Sequence, residues 1–366
     1  MTASFYLRPI ALAESPQSED GDAVRLAGGL VYASRIALIV RDEGKVTQRE
    51  RYSVRQLEQA LSGLPDAVSE QWQALKAARP ALQCGARTIP LDQPQIMGIL
   101  NVTPDSFSDG GAFLDRPEVA QAHASAMLEA GAALIDIGGE STRPGAPAVW
   151  EGDELKRVIP LVERLSAAGA AISVDTRRPA VMEAALAAGA HVINDVSALR
   201  HDPRSLQFAA NCGAPVVLMH APGEGDNLHD GGTYRDVVLD VFDWLAVRRD
   251  AALAAGVAAD RIILDPGIGF GKTVAENLAL MNALPMFHAL GMPLLVGASR
   301  KRMIGALSHE APAQQRLGGS LALALKAMDA GVQLLRVHDV PETVQAARVW
   351  RGMRDAALTD FTQVAG

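Results

Sequence analysis

Acidic and amide side chains at the ends of apolar runs give this sequence its chemistry. The run AISV leads into Asp175, HVIN ends in Asn194 and leads into Asp195, and RIIL leads into Asp265. Any one of these acids is as readily a helix N-cap. Together they form a ring of acceptors suited to a neutral heterocycle with an amino-amide edge, such as a pterin or a guanine, whose adjacent donors a buried carboxylate accepts in pairs. A second group is cationic. Arg300, Lys301 and Arg302 crowd an expected helix start, which an anion bound there would make tolerable. Arg336 and His338 alternate on one strand and so point the same way. Beside Asn101 and Thr142 they would cradle a diphosphate, with a divalent metal on the asparagine and phosphate oxygens.

Eight strand-length apolar runs position these groups: IMGIL into Asn101, ALIDIGG into Glu140, AISV, HVIN, PVVLM into His220, RIIL, PLLVG into Ser299, and QLLRV into His338. Each is aliphatic on both faces, as strands of a buried parallel sheet are. Helical patterning lies between them at Pro117–Ala130, Glu151–Ala168, Pro179–Ala188, Tyr234–Ala255, Val274–Leu290 and Gln314–Ala330. Strand-then-helix units repeated this way predict an α/β fold, a (β/α)8 TIM barrel over residues 93–366, with its reactive side chains on the rim that follows the strands.

Residues 1–92 read as a small α+β extension of unassigned function. Strands are expected at Gly28–Val40 and Arg51–Val54, helices at Val54–Leu61 and Val68–Ala78, and a linker where Arg79–Pro80, Gly85 and Pro90–Pro94 break the pattern. The 366 residues are 49% hydrophobic and 21% charged, with a formal net charge of −8, which argues against nucleic acid or an anionic membrane as bulk partner. Two cysteines, Cys84 and Cys212, without C-x-x-C spacing indicate neither a disulfide framework nor a zinc site, and fit a reducing cytoplasm. Neither a signal peptide nor a membrane span is expected.

The loops add detail. ILNVTPDSFSDGG, Ile99 to Gly111, reads as a substrate-covering loop around Phe107, in which Asp105 and Asp109 either assist or merely cap turns. IDIGGESTRPGAP offers Ser141, Thr142 and Arg143 to an anion. GIGFGK, Gly267 to Lys272, lacks the spacing of a nucleotide loop and reads as a tight turn with Phe270 against a flat ring.

With ILNVTPDSFSDGG, IDIGGESTRPGA, SVDT, GAHVINDVSAL, LMHAPG, LDPGIGFGK, LLVGASRK and RVHDV in this order over Gln95 to Arg348, the chain resembles the dihydropteroate synthase family, folate-pathway transferases that join a dihydropterin diphosphate to p-aminobenzoate. The resemblance implies that Asp175, Asn194, Asp265, Lys301 and Arg336 hold the pterin. It implies that Asn101, Thr142, Arg336 and His338 hold the diphosphate, with Mg2+ at Asn101. It lines the p-aminobenzoate pocket with Phe107, Thr142, Arg143, Pro144, Phe270, Lys301 and Arg302, the last where many relatives carry serine. Asp175, Asp265, Lys301, Arg336 and His338 are its expected catalytic set. The family also implies a homodimer through helices near the C-terminal end, for which the alanine-rich Pro312–Ala330 and Glu342–Leu358 are candidate faces. A methyltetrahydrofolate:corrinoid methyltransferase-type barrel would share Asp175, Asn194 and Asp265 but would not need the ESTRPG, SRK and RVHD groups. A non-catalytic pterin-binding paralogue would not need to retain every reactive side chain.

Overall fold

The computed structural model describes residues 3–18, 21–103, 117–143, 145–146 and 148–358. Strands Gln95–Asn101, Leu134–Gly138, Ile172–Asp175, Val192–Asp195, Val216–Met219, Ile262–Asp265, Leu295–Val296 and Leu334–Val337 form one parallel sheet, in which the last pairs with the first. A bridge between Leu264 and Leu294 joins the sixth strand to the seventh and rounds off the barrel. Helices follow the strands, including Pro117–Ala130, Glu151–Ala167, Pro179–Ala187, Val237–Ala255, Val274–Phe287 and Leu317–Asp329. The helix expected from Tyr234 begins at Val237 because Asp236 caps it, accepting from the Val238 and Leu239 amides.

The alternation of side chains along a strand decides what fills the barrel. Met97, Leu134, Ala171, Val192, Val217, Ile263, Leu295 and Leu334 form one buried apolar layer. Two residues further along each strand stand Ile99, Asp136, Ser173, Asn194, Met219, Asp265, Gly297 and Arg336, on the same inward parity. The polar set is therefore lifted onto an apolar base at the C-terminal mouth.

The stretch expected as a linker is a folded piece. Leu82–Cys84 and Arg87–Ile89 form an antiparallel hairpin, and Leu82, Cys84, Ile89 and Leu91 pack on that same apolar layer, plugging the barrel's lower end. The proline and glycine residues punctuate a hairpin instead of leaving the chain unpacked.

The extension is an antiparallel sheet of Ser4–Ala13, Tyr32–Asp42 and Lys45–Ser53 with helices Val54–Ala60 and Asp66–Lys76. The strand expected from Gly28 starts at Tyr32, because Leu26–Val31 closes a turn with Ala27 and Gly28 at positive φ, and the Ala27 amide donates to the Leu75 carbonyl. A Cβ at Gly28 would lie 2.6 Å from Ala78 Cβ, so the close approach to the helix end requires glycine. Ser4–Ala13 carries Pro9, which an edge strand tolerates. Tyr6, Leu7, Trp72 and Leu75 share a single hydrophobic cluster with Leu280, Leu284, Phe287 and Leu290 of the barrel flank.

Candidate active site

Arg336 is the hub of the barrel mouth. Its Nε donates to Asp136 Oδ2 at 2.6 Å and its Nη2 to Asp175 Oδ2 at 2.7 Å. Asn194 Nδ2 donates to the same Asp136 oxygen at 3.1 Å, which leaves the Asn194 carbonyl oxygen as an acceptor for a ligand. Asp265 Oδ1 accepts from the Gly267 amide at 2.7 Å. Asp136 Oδ1 and Ser173 Oγ are buried without a partner among the described residues.

The electrostatics follow from this crowding. Burial pushes Asp175 up to about 7 against the pull of Arg336, with Asp136 adding to the rise. Burial pushes Asp265 up to about 6, opposed by the Gly267 amide and Lys301. Lys301 is lowered to about 8 by burial and by Arg336, against Asp265 and Asp175. Arg336 resists its own burial because Asp136 and Asp175 flank it, and it stays charged.

Other expected residues gather around this floor. Asn101 ends the first strand, with Oδ1 3.3 Å from where a Cβ on Gly138 would stand, and Asp175 is its neighbour there. Glycine at 138 keeps that space open. His338 lies on the eighth strand's extension, its backbone amide and Nδ1 within 3.2 and 3.1 Å of Ser299 Oγ, and burial together with Arg300 and Arg336 holds it neutral. Lys301 Nζ sits 4.4 Å over the centre of the Phe270 ring. Thr142 and Arg143 stand on the second loop. Phe107, Pro144, Asp105 and Asp109 lie outside the described residues.

Two expectations change. The Arg300, Lys301, Arg302 run is not a joint anion cradle: Arg300 Nε and Nη2 pair with Asp339 at 3.1 and 2.5 Å, and Arg302 opens the helix Arg302–Leu307 with its side chain exposed. Lys301 stands over the Phe270 ring. Asp195 is not in the acceptor ring, since its oxygens accept from the Ser197 amide and hydroxyl and the Leu199 amide, a turn cap. GIGFGK is the tight turn expected, and it packs on a neighbouring loop: with Gly267 at φ +68°, a Cβ there would lie 1.8 Å from the His220 carbonyl oxygen. Lys272 is spent inside that loop, on the carbonyls of Gly267 and Phe270 at 2.8 and 3.0 Å and on His220 Nδ1 at 2.9 Å.

Asp136 had no role in the sequence reading. Its signal was parity, since it stands two residues beyond Leu134 and so must point inward. The second loop rests on a buried network also unread: Glu140 takes both Arg177 and Arg178, at 3.1 and 3.0 Å, and Arg178 continues to Glu154. Burial pushes Glu140 up, and the two guanidiniums hold it below the ordinary carboxylate range. Among the described residues no cluster of three His, Cys, Asp or Glu is placed to hold a metal.

Residues 97–338 match the family described as pterin binding enzyme. A dihydropteroate synthase of Neisseria meningitidis serogroup B is 46% identical over 280 residues, 75% of this chain and 98% of the relative. A solved dihydropteroate synthase from Xanthomonas albilineans with 4-aminobenzoic acid is 50% identical with TM-score 0.71, over 76% of this chain and 99% of that one. One from Burkholderia cenocepacia complexed with 7,8-dihydropteroate is 44% identical with TM-score 0.70, over 76% and 98%.

Proposed function

The chain belongs to the dihydropteroate synthase family of pterin-binding enzymes, and from that premise we propose how its own residues condense (7,8-dihydropterin-6-yl)methyl diphosphate with 4-aminobenzoate to 7,8-dihydropteroate and diphosphate. The observation that carries the residue assignment is the inward array of Asp136, Asp175, Asn194 and Asp265 around Arg336.

The pterin ring lies over the apolar layer, its donors on Asp175, Asp265 and the Asn194 carbonyl, with Lys301 and Arg336 beside it. The C–O bond between the pterin methylene and the diphosphate breaks first, its electron pair leaving on oxygen. Positive charge then spreads into the ring and faces Asp175 and Asp265. Asn101, Thr142, Arg336 and His338 receive the departing diphosphate, an electrostatic contribution to the transition state. The arylamine lone pair attacks the methylene carbon, the C–N bond forms, and an amine proton passes to water or to the released diphosphate. An arylamine is unprotonated near neutrality, so no strong base is required. Its ring is received by Thr142, Arg143, Phe270, Lys301 and Arg302, with Phe107 and Pro144 retained from the sequence.

Mg2+ fits here only as an ion carried chiefly by the diphosphate and water, because Asn101 supplies one neutral oxygen and, among the described residues, no group of three His, Cys, Asp or Glu is placed to hold a metal. It would add charge to neutralise the leaving group. No helix of the described residues is long and apolar enough to cross a membrane. The free thiols of Cys84 and Cys212 support a cytoplasmic setting, and the helices Leu317–Asp329 and Val340–Ala357 are our choice for a homodimer face.

Purified protein supplied with both substrates and Mg2+ should form dihydropteroate only when 4-aminobenzoate is present. Pterin binding without any product would instead favour a binding paralogue.

A further inference from the structure

The loop after the fifth strand, Pro222 to Asp236, carries an imidazole that the reaction above leaves unused. His229 lies flat on Phe270, ring centres 4.9 Å apart and planes 12° from parallel. Its Nε2 is 2.9 Å from the Thr142 carbonyl oxygen, and its Nδ1 lies 3.4 Å from the Gly271 amide nitrogen. The amide can only donate, so Nδ1 accepts and the Nε2–H donates to Thr142. One neutral tautomer thus ties together three loops: the second through Thr142, the fifth through its own backbone, and the sixth through Gly271 and Phe270. Thr142, Arg143 and His229 also line one cavity with Ser141, Arg177 and Asp226.

We propose that His229 is a positioning residue for the arylamine substrate, setting the plane of Phe270 and the height of Thr142 so that the amine ring is held in line with the pterin methylene. This rests on the synthase reading and deepens it. The groups facing the imidazole are Lys272 and Lys301 from the sixth and seventh loops, Asp230 beside it in sequence, and Arg143, Arg177, Glu140 and Asp226 around the shared cavity. Burial and the two lysines keep it below the ordinary histidine range. A protonated His229 would present a second N–H to the Gly271 amide and break the tie.

The test is steady-state kinetics of full-length wild type, His229→Ala and His229→Gln, varying each substrate separately between pH 5 and 8. His229→Ala should raise KM for 4-aminobenzoate about fivefold to tenfold, the effect of one lost hydrogen bond with its stacking partner, while KM for the pterin diphosphate, whose anion Thr142 holds together with Asn101, Arg336 and His338, should rise less than that for the amine. His229→Gln, whose amide can donate to Thr142 and accept from Gly271, should recover most of that loss. Any loss of amine affinity that protonation of His229 causes should fall below the ordinary histidine range and be missing in His229→Gln, whose substrate titrates identically. An unchanged amine KM in His229→Ala, or an equal rise for both substrates, overturns the proposal. No turnover by wild type overturns the synthase reading as well, so the two failures are told apart in one assay.

Discussion

Asp175 and Asp265 are asked to accept N–H donors from a pterin, and an empty site resists that. Burial raises them to about 7 and about 6, so below those values the neutral forms are favoured until ligand arrives. A donor-rich ring binds the ionised forms, so affinity should rise as pH increases through 6 to 7 and level off above, with protons released on binding. For folding the sign is opposite: a raised carboxyl adds stability at low pH that is lost as pH climbs through its folded value. Calorimetry with a 6-hydroxymethyl pterin, which lacks the titrating diphosphate, in two buffers of different ionisation enthalpy should show this between pH 5 and 7.5. Flat affinity without proton release would contradict it. At this scale the sequence disclosed residues that end strands, because a polar group after an apolar run is conspicuous. Asp136 sits inside its run, and His229 depends on how two loops pack, so neither declared itself.

Among elements, barrel strands were legible to within a few residues because their apolar runs are buried on both faces, and so were the helices expected between them, whereas the short helix Ser205–Cys212 was not. Lys45–Ser53 was half-missed because a charged edge strand, KVTQRERYS, hides its alternation. The extension's hairpin reaches the catalytic rim. Arg41 Nη1 pairs with Asp240 at 2.6 Å, and Asp240 Oδ2 accepts from the Arg235 and Asp236 amides at 2.8 and 3.2 Å, the end of the loop that carries His229. Tyr6 Oη donates to Asp243 at 2.9 Å on the same helix, and Arg79 Nη2 donates to the His288 carbonyl at 2.9 Å. Trp72 is fully buried at this junction. Trp72→Ala should cost about 3–5 kcal/mol, seen in denaturant as one cooperative transition moved to lower midpoint. Two transitions, with the later one unmoved, would make the extension an independent unit.

For the molecule as a whole, the extension and the barrel share a core, so the chain is a barrel plugged below by a hairpin and buttressed on one flank. The helix Val340–Ala357 leaves Val349 and Met353 about 60% exposed, which is why we propose it for a homodimer face. Sedimentation should find twice the 38.6 kDa chain mass, and Val349→Asp should shift it toward monomer. The most direct measurement is a single-turnover experiment that counts diphosphate and dihydropteroate together in wild type and Arg336→Met. Wild type should release one diphosphate per dihydropteroate. Arg336→Met, which strips the hub from both acids, should slow the step by roughly 100-fold or more while remaining folded. Diphosphate release uncoupled from dihydropteroate, or a folded Arg336→Met that turns over as wild type does, would contradict a condensation run from the strand ends.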